Sequence, residues 1–225
     1  METSLDDLQA QGQRTAPNVT RGGPVVAFDF DGTLTTKDSF KAFLQWREGA
    51  IGYGVGMLRL APAGLRWARD RDPGKLKAAA VRTFLKGVPR AMIEEEAVEF
   101  AKLTAPLLLR PDAVKVFRRH RQHGARMAIV TASPEIIVAP FARGLGADVL
   151  IGTRLKFDQN DRIQGGLDGL NCIGPEKVGR LKDVFGQGIR LQAAYGDSPG
   201  DKDMMELADE KYMRLFVADP ARPQK

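Results

Sequence analysis

The stretch VVAFDFDGTLTTKDSF, residues 25–40, decides how the rest of the chain is read. A short, β-branched apolar run ends in Asp29, Phe30, Asp31 and Gly32, so two carboxylates stand two residues apart at the end of a buried strand beside a glycine turn. Unpaired carboxylates at that spacing repel each other, and the arrangement asks for a cation.

The same pattern recurs further along. ARMAIVTAS at 125–133 and RLQAAYGDS at 190–198 are apolar strand patterns that also end in polar clusters. Helical patterns fall at 111–123, 134–145, 176–185 and 200–209. The alternation predicts an α/β fold with a doubly wound, Rossmann-like parallel sheet, in which ligands bind outside the carboxyl ends of the strands. Residues 149–169 read as a strand followed by a hairpin that turns at DQND. Pro140, inside the 134–145 pattern, is expected to break or bend that helix near Ala139.

Some seventy residues separate the first strand from the second, with helix-period apolar positions and few strand signals. A crossover needs far fewer, so 37–107 is expected to be an inserted helical cap, with 23–36 and 108–225 forming the core. Residues 1–22 carry early acids and no apolar h-region, and they read as a loose tail rather than a signal peptide.

The net charge of +6 is concentrated in the insert, where Arg47 to Arg90 hold ten bases and three acids. The longest apolar stretch, GAIGYGVGML at 49–58, is about half of the roughly 20 residues a spanning helix needs. A nucleic-acid-binding module would use the bases, but no stacking-aromatic pattern accompanies them and it has no use for converging acids, so no nucleic acid is expected. The single cysteine, Cys172, cannot form an internal disulfide and is read as a small buried hydrophobe, which fits the cytoplasm; His120 and His123 are expected to face solvent near a helix end.

DFDGTLT at 29–35, TAS at 131–133, Lys177 at a helix start and GDSPGDKDM at 196–204, in this order, resemble the motif series of the haloacid dehalogenase superfamily over residues 25 to about 205. DxD alone is a weak signal, whereas the full series at these separations is specific. The resemblance implies Mg²⁺ as cofactor, in keeping with four acids (Asp29, Asp31, Asp197 and Asp201) that a hard cation would neutralise. It implies Asp29 as nucleophile, Asp29 and Asp197 as metal ligands with the backbone carbonyl of Asp31, and Asp31 as general acid and base. Thr131 would bond a phosphate oxygen, joined by Ala132 and Gly32. Ser133, before Pro134, reads as a helix cap beside an anion site. Lys177 would face the transferring group and Asp201 would orient it.

Within the superfamily, a helical insertion directly after DGTLT resembles the phosphoserine phosphatase-like branch. Asp38 stands where that branch carries a Glu that holds the substrate amine, which makes it a cap specificity residue; GDSPGD replaces GDGAND, with Gly200 in place of Asn. Asp38 and Phe40, Phe43-Leu44, TASP and CIGPEKVGRL resemble more closely the phosphatidylglycerophosphatase C-type hydrolases, although the apolar stretch of the insert is shorter here and interrupted by Arg59 and Arg66. The expected activity is hydrolysis of a phosphate monoester through an aspartyl-phosphate. The ester is either a lipid phosphate such as phosphatidylglycerophosphate or a small soluble ester resembling phosphoserine, and transfer to a second alcohol is the alternative of another class. A lipid substrate would place the protein peripherally against an anionic inner membrane surface, through the basic insert with Tyr53 and Trp67.

Overall fold

The structure, a computed structural model, describes residues 23–220, so the expected tail at 1–22 lies outside the described residues. Strand β1, Val25–Phe28, is buried along its whole length. Its side chains alternate across the sheet: Val26 and Phe28 enter one apolar layer, Val25 and Ala27 the other. A strand covered on both faces is apolar at every position, which explains the unbroken run in the sequence.

Five more strands complete the sheet: β2 at Arg126–Pro134, β3 at Val149–Phe157, β4 at Ile163–Asp168, β5 at Leu191–Gly196 and β6 at Ala208–Met213. Their order is β4-β3-β2-β1-β5-β6. Every neighbouring pair is parallel except β3 and β4, the expected hairpin. Its turn is held by Asp158, whose carboxylate accepts from the amides of Asn160 and Arg162. This is the mostly parallel, helix-covered α/β sheet that the sequence predicts. Because β2 and β5 flank β1 on opposite sides, the winding reverses at β1, and a crevice opens beyond its carboxyl end.

Three helices follow β1: α1 at Ser39–Asp70, α2 at Pro73–Phe84 and α3 at Arg90–Leu108. The chain leaves for them and returns beside itself. Thr35 and Leu109 form an antiparallel bridge, the Thr36 amide donates to the Leu108 carbonyl at 2.9 Å, and the Arg110 amide donates to the Leu34 carbonyl at 2.8 Å. A chain of aromatic rings then ties the inserted helices to the sheet. Phe43 of α1 meets Phe100 of α3 at 5.4 Å between centroids, Phe100 meets Phe141 at 5.8 Å, and Phe141 meets Phe30, just past β1, at 5.4 Å. Such pairs contribute about 0.5–1.5 kcal/mol each beyond the area they bury.

Helix α1 has two legs. At Gly49 the backbone adopts φ 65° and ψ 177°, outside helical geometry and costly for a residue with a Cβ. The first leg packs Phe40, Phe43 and Leu44 into the core, whereas the second buries only Gly56 and Leu60.

The remaining helices are α4 at Pro111–Gln122, α5 at Glu135–Leu145, α6 at Pro175–Phe185 and α7 at Lys202–Met205. Two elements differ from the sequence expectation. Pro140 does not break α5, whose backbone is helical from Glu135 to Leu145. One amide is lost against the Ile136 carbonyl, and the buried face of Ile137, Val138, Phe141, Ala142 and Leu145 outweighs it. The helix expected at 200–209 is reduced to a 3₁₀ turn at Pro199–Asp201 and the single turn α7, and the chain then enters β6. ADEKYM lacks an apolar run because β6 is, among the described residues, an edge strand paired with β5 and mostly exposed.

Candidate active site

The end of β1 is where the motifs meet. Asp29 follows the strand, its amide donating to the Tyr195 carbonyl of β5 at 2.8 Å, and its side chain is buried. Lys177, on the first turn of α6, is buried as well. Its ammonium donates to Asp29 Oδ1 at 2.5 Å, to Asp201 Oδ1 at 2.6 Å and to the Val130 carbonyl at 2.7 Å, which uses all three of its protons. Burial alone would lower the lysine's pKa; the carboxylates of Asp29 and Asp201 outweigh it and hold the group above its ordinary value. Asp201 is fixed in turn, because its Oδ2 accepts from the Ser198 amide at 3.0 Å, the Ser198 hydroxyl at 2.9 Å and the Asp197 amide at 3.2 Å.

Asp197, at the end of β5, completes a trio. One carboxylate oxygen each from Asp29, Asp197 and Asp201 lie within 4.8 Å of one another. Burial raises the pKa of Asp29 to about 7 in spite of Lys177, with Asp201 and Asp31 adding to the rise, and burial and Asp201 also raise Asp197. Three acids against one ammonium leave negative charge that an oxygen-seeking divalent cation would neutralise, so the donor set fits Mg²⁺. Gly32 permits this approach: its φ is 84°, and a Cβ there would lie 2.2 Å from Asp197 Oδ2.

Of the four expected acids, Asp29, Asp197 and Asp201 cluster, and Asp31, two residues on from Asp29, points the other way. The carboxylate of Asp31 turns instead to the start of α1, where Oδ1 accepts from the Ser39 amide at 2.7 Å and Oδ2 accepts from the Ser133 hydroxyl at 2.5 Å. Burial, then the charge of Asp38, raises its pKa, which favours a protonated acid. Ser133 therefore does not cap α5. The strand runs one residue further, Pro134 takes the cap position without a side-chain bond, and the Ser133 hydroxyl serves Asp31. Asp38 caps α1 by accepting from the Lys41 amide at 2.7 Å, and it is exposed.

At the end of β2, the Thr131 hydroxyl is buried and accepts from the Ser133 amide at 3.0 Å, which leaves its own proton free to donate. The Ala132 carbonyl accepts from Thr153 Oγ1 at 2.6 Å and also from Lys77, which reaches across from α2. Burial lowers the pKa of Lys77 while Asp31 and Asp38 oppose it, so this ammonium shares the surroundings of the two acids. Lys77 was not among the expected site residues. Its signal was nonetheless present, since 77, 80, 81 and 84 share one helix face and Ala80, Val81 and Phe84 are buried.

Fold and site together define an enzyme of the doubly wound class whose strand-end aspartate, gripped by a buried lysine, stands at the switch point of the sheet. The chain belongs to the haloacid dehalogenase-like hydrolase family, whose model matches residues 26–206. It is 61% identical over 197 residues to Protein CicA of Caulobacter vibrioides strain NA1000 / CB15N, covering 88% of each chain. It is 26% identical over 195 residues to the histidinol-phosphatase of Neisseria meningitidis serogroup C strain 8013, covering 81% of this chain and 86% of that one. Its fold is similar to that of a phosphoserine phosphatase in its apo form, with a TM-score of 0.56 at 19% identity over 85% of this chain and 86% of the other.

Proposed function

We propose that this hydrolase acts on phosphate monoesters and passes the phosphoryl group through Asp29. The observation that carries the reading is the pairing of a buried, lysine-held carboxylate at Asp29 with a second carboxyl, Asp31, turned toward Ser133 and Ser39. An oxygen of Asp29 attacks phosphorus, the phosphorus–oxygen bond to the alcohol breaks, and Asp31 gives its proton to the departing alkoxide. Asp31 then takes a proton from water as that water attacks the aspartyl-phosphate; the bond to Asp29 breaks and inorganic phosphate leaves. Lys177 keeps a fixed positive charge beside the reacting oxygens, and Thr131 has a proton to offer a phosphoryl oxygen, with Gly32 and Ala132 lining the same strand ends.

Mg²⁺ would be held by Asp29 and Asp197, with the Asp31 carbonyl as a further oxygen, and would supply charge neutralisation at the phosphoryl group. The phosphatase names of the Neisseria relative and of the structural neighbour support the reaction class. A lipid phosphate such as phosphatidylglycerophosphate is a second reading of the substrate, favoured over a small soluble ester by apolar residues exposed on α1, among them Ile51, Leu58 and Leu65.

The test is phosphate release from p-nitrophenyl phosphate, phosphoserine and phosphatidylglycerophosphate in mixed micelles, with Mg²⁺ or with a chelator, and Asp29→Asn as the blank. Mg²⁺-dependent release, reduced by about a thousandfold or more in the variant, is expected. Full turnover by Asp29→Asn would overturn the reading, and phosphate appearing on an added alcohol would reassign the enzyme as a transferase.

A further inference from the structure

Beyond Gly49, α1 carries apolar residues on two faces. Tyr53, Gly56, Leu60 and Ala63 face the protein. Ile51, Val55, Leu58, Pro62 and Leu65 follow one another at intervals of four, three, four and three residues, which places them in a single line on the outside. All five are exposed, with Ile51 at 85%, Leu58 at 76% and Leu65 at 77%. Three large aliphatic side chains this exposed along one helix face, with Val55 and Pro62 between them, are not the scattered apolar residues of an ordinary surface.

The flanks of the line are basic. Arg59 and Arg66 stand to one side, about 60–80° around the helix, and Arg69 extends the line at its far end. All three are exposed, and the only acid between residues 50 and 71 is Asp70. Among the described residues no helix is long and apolar enough to cross a membrane. A leg of about 30 Å with an exposed apolar line and arginines beside it is suited to lying in a bilayer surface, its aliphatic side chains among the acyl chains and its arginines at the headgroups.

We infer that the outward face of this leg, residues 50–70, is a docking surface for a bilayer containing anionic lipid. Charge complementarity selects this occupant over a second copy of the chain. A two-fold pairing through Leu58 would bring the Arg59 side chains of the two protomers together, with Asp70, at the far end of the leg, the one acid between residues 50 and 71. An anionic headgroup layer offers each arginine a counter-charge, worth about 1 kcal/mol per base. The surface does not depend on the chemistry assigned to Asp29.

The experiment is flotation of the full chain with vesicles of phosphatidylcholine alone and of phosphatidylcholine mixed with phosphatidylglycerol. The wild type should rise with the anionic vesicles and stay behind with the neutral ones. Leu58→Glu and the pair Arg59→Glu/Arg66→Glu should each lower the bound fraction by about tenfold or more, and high salt should weaken the wild type. Far-ultraviolet circular dichroism and turnover of p-nitrophenyl phosphate should stay unchanged in these variants, since the side chains face away from the core. Wild-type protein that ignores both vesicle types, or Leu58→Glu that floats like wild type, would overturn the inference. So would a dimer in sedimentation that Leu58→Glu converts to monomers. Binding to anionic vesicles by a protein with no phosphatase turnover would sustain the surface and sink the proposed reaction instead.

Discussion

Lys177 Nζ and Asp29 Oδ1 lie 2.5 Å apart although 148 residues separate them in the chain, and both side chains are buried. Removing one member of such a pair leaves uncompensated charge in a dry site. Lys177→Met should lower stability by about 3–5 kcal/mol in urea unfolding and abolish turnover. Adding Asp201→Asn should restore part of the stability and none of the activity. A double variant less stable than the single one would mean that Asp201 is held by its Ser198 and Asp197 contacts alone.

Gly32→Ala meets two obstacles at once, a φ of 84° and Asp197 Oδ2 at 2.2 Å from the new Cβ. The backbone strain alone is worth about 1–2 kcal/mol. The melting temperature should fall and phosphatase turnover should drop more steeply than stability, because the Asp197 carboxylate must give way to the new Cβ. Unchanged turnover would show that Asp197 can shift without consequence.

Lys77 latches α2 onto the end of β2 through the Ala132 carbonyl. Lys77→Met should speed amide hydrogen exchange across Pro73–Phe84 and raise KM by about tenfold, a loss near 1.4 kcal/mol of binding, with a smaller effect on kcat. Exchange identical to wild type would remove the latch.

His120 is half-buried, with its Nε2 2.8 Å from the Tyr195 hydroxyl, and not turned to solvent as its sequence position suggests. Burial lowers its pKa, with the nearby positive charges of Arg119 and His123 acting in the same direction and Glu210 against them. The unfolded chain therefore takes up the proton first. The histidine's contribution to stability is complete above the unfolded value of about 6.5 and is lost as pH falls below it toward the folded value. Urea midpoints at pH 7 and pH 5 should differ less in His120→Gln than in wild type. An equal difference would mean that other groups carry the slope.

The strand ends were legible in the sequence because β1 is buried at every position and β2 and β5 are mostly buried, so each reads as an apolar run that stops at its polar end. The hairpin at 149–168 was legible from its turn chemistry, and the aspartates from their clustering at those strand ends. What escaped the sequence depends on long-range partners. β6 is a strand only because β5 offers it an edge, and Pro140 sits in an intact helix because the buried side of α5 holds it. Ser133 looked like a cap because a proline follows it, and only the fold brings Asp31 within reach of its hydroxyl. Lys77 was hidden among ten bases of similar local sequence, and which of them turns inward is decided by how α2 is set against β2.

The paired neck formed by Thr36 with Leu108 and Arg110 with Leu34 has an evolutionary consequence. Its two strands enter and leave at one place, so the helices between them can be lengthened, shortened or exchanged without rethreading any strand of the sheet. A change of length or sequence in those helices can thus alter the inserted layer and the outward surface of α1 together, while the sheet that carries Asp29 and the helix that carries Lys177 keep their threading.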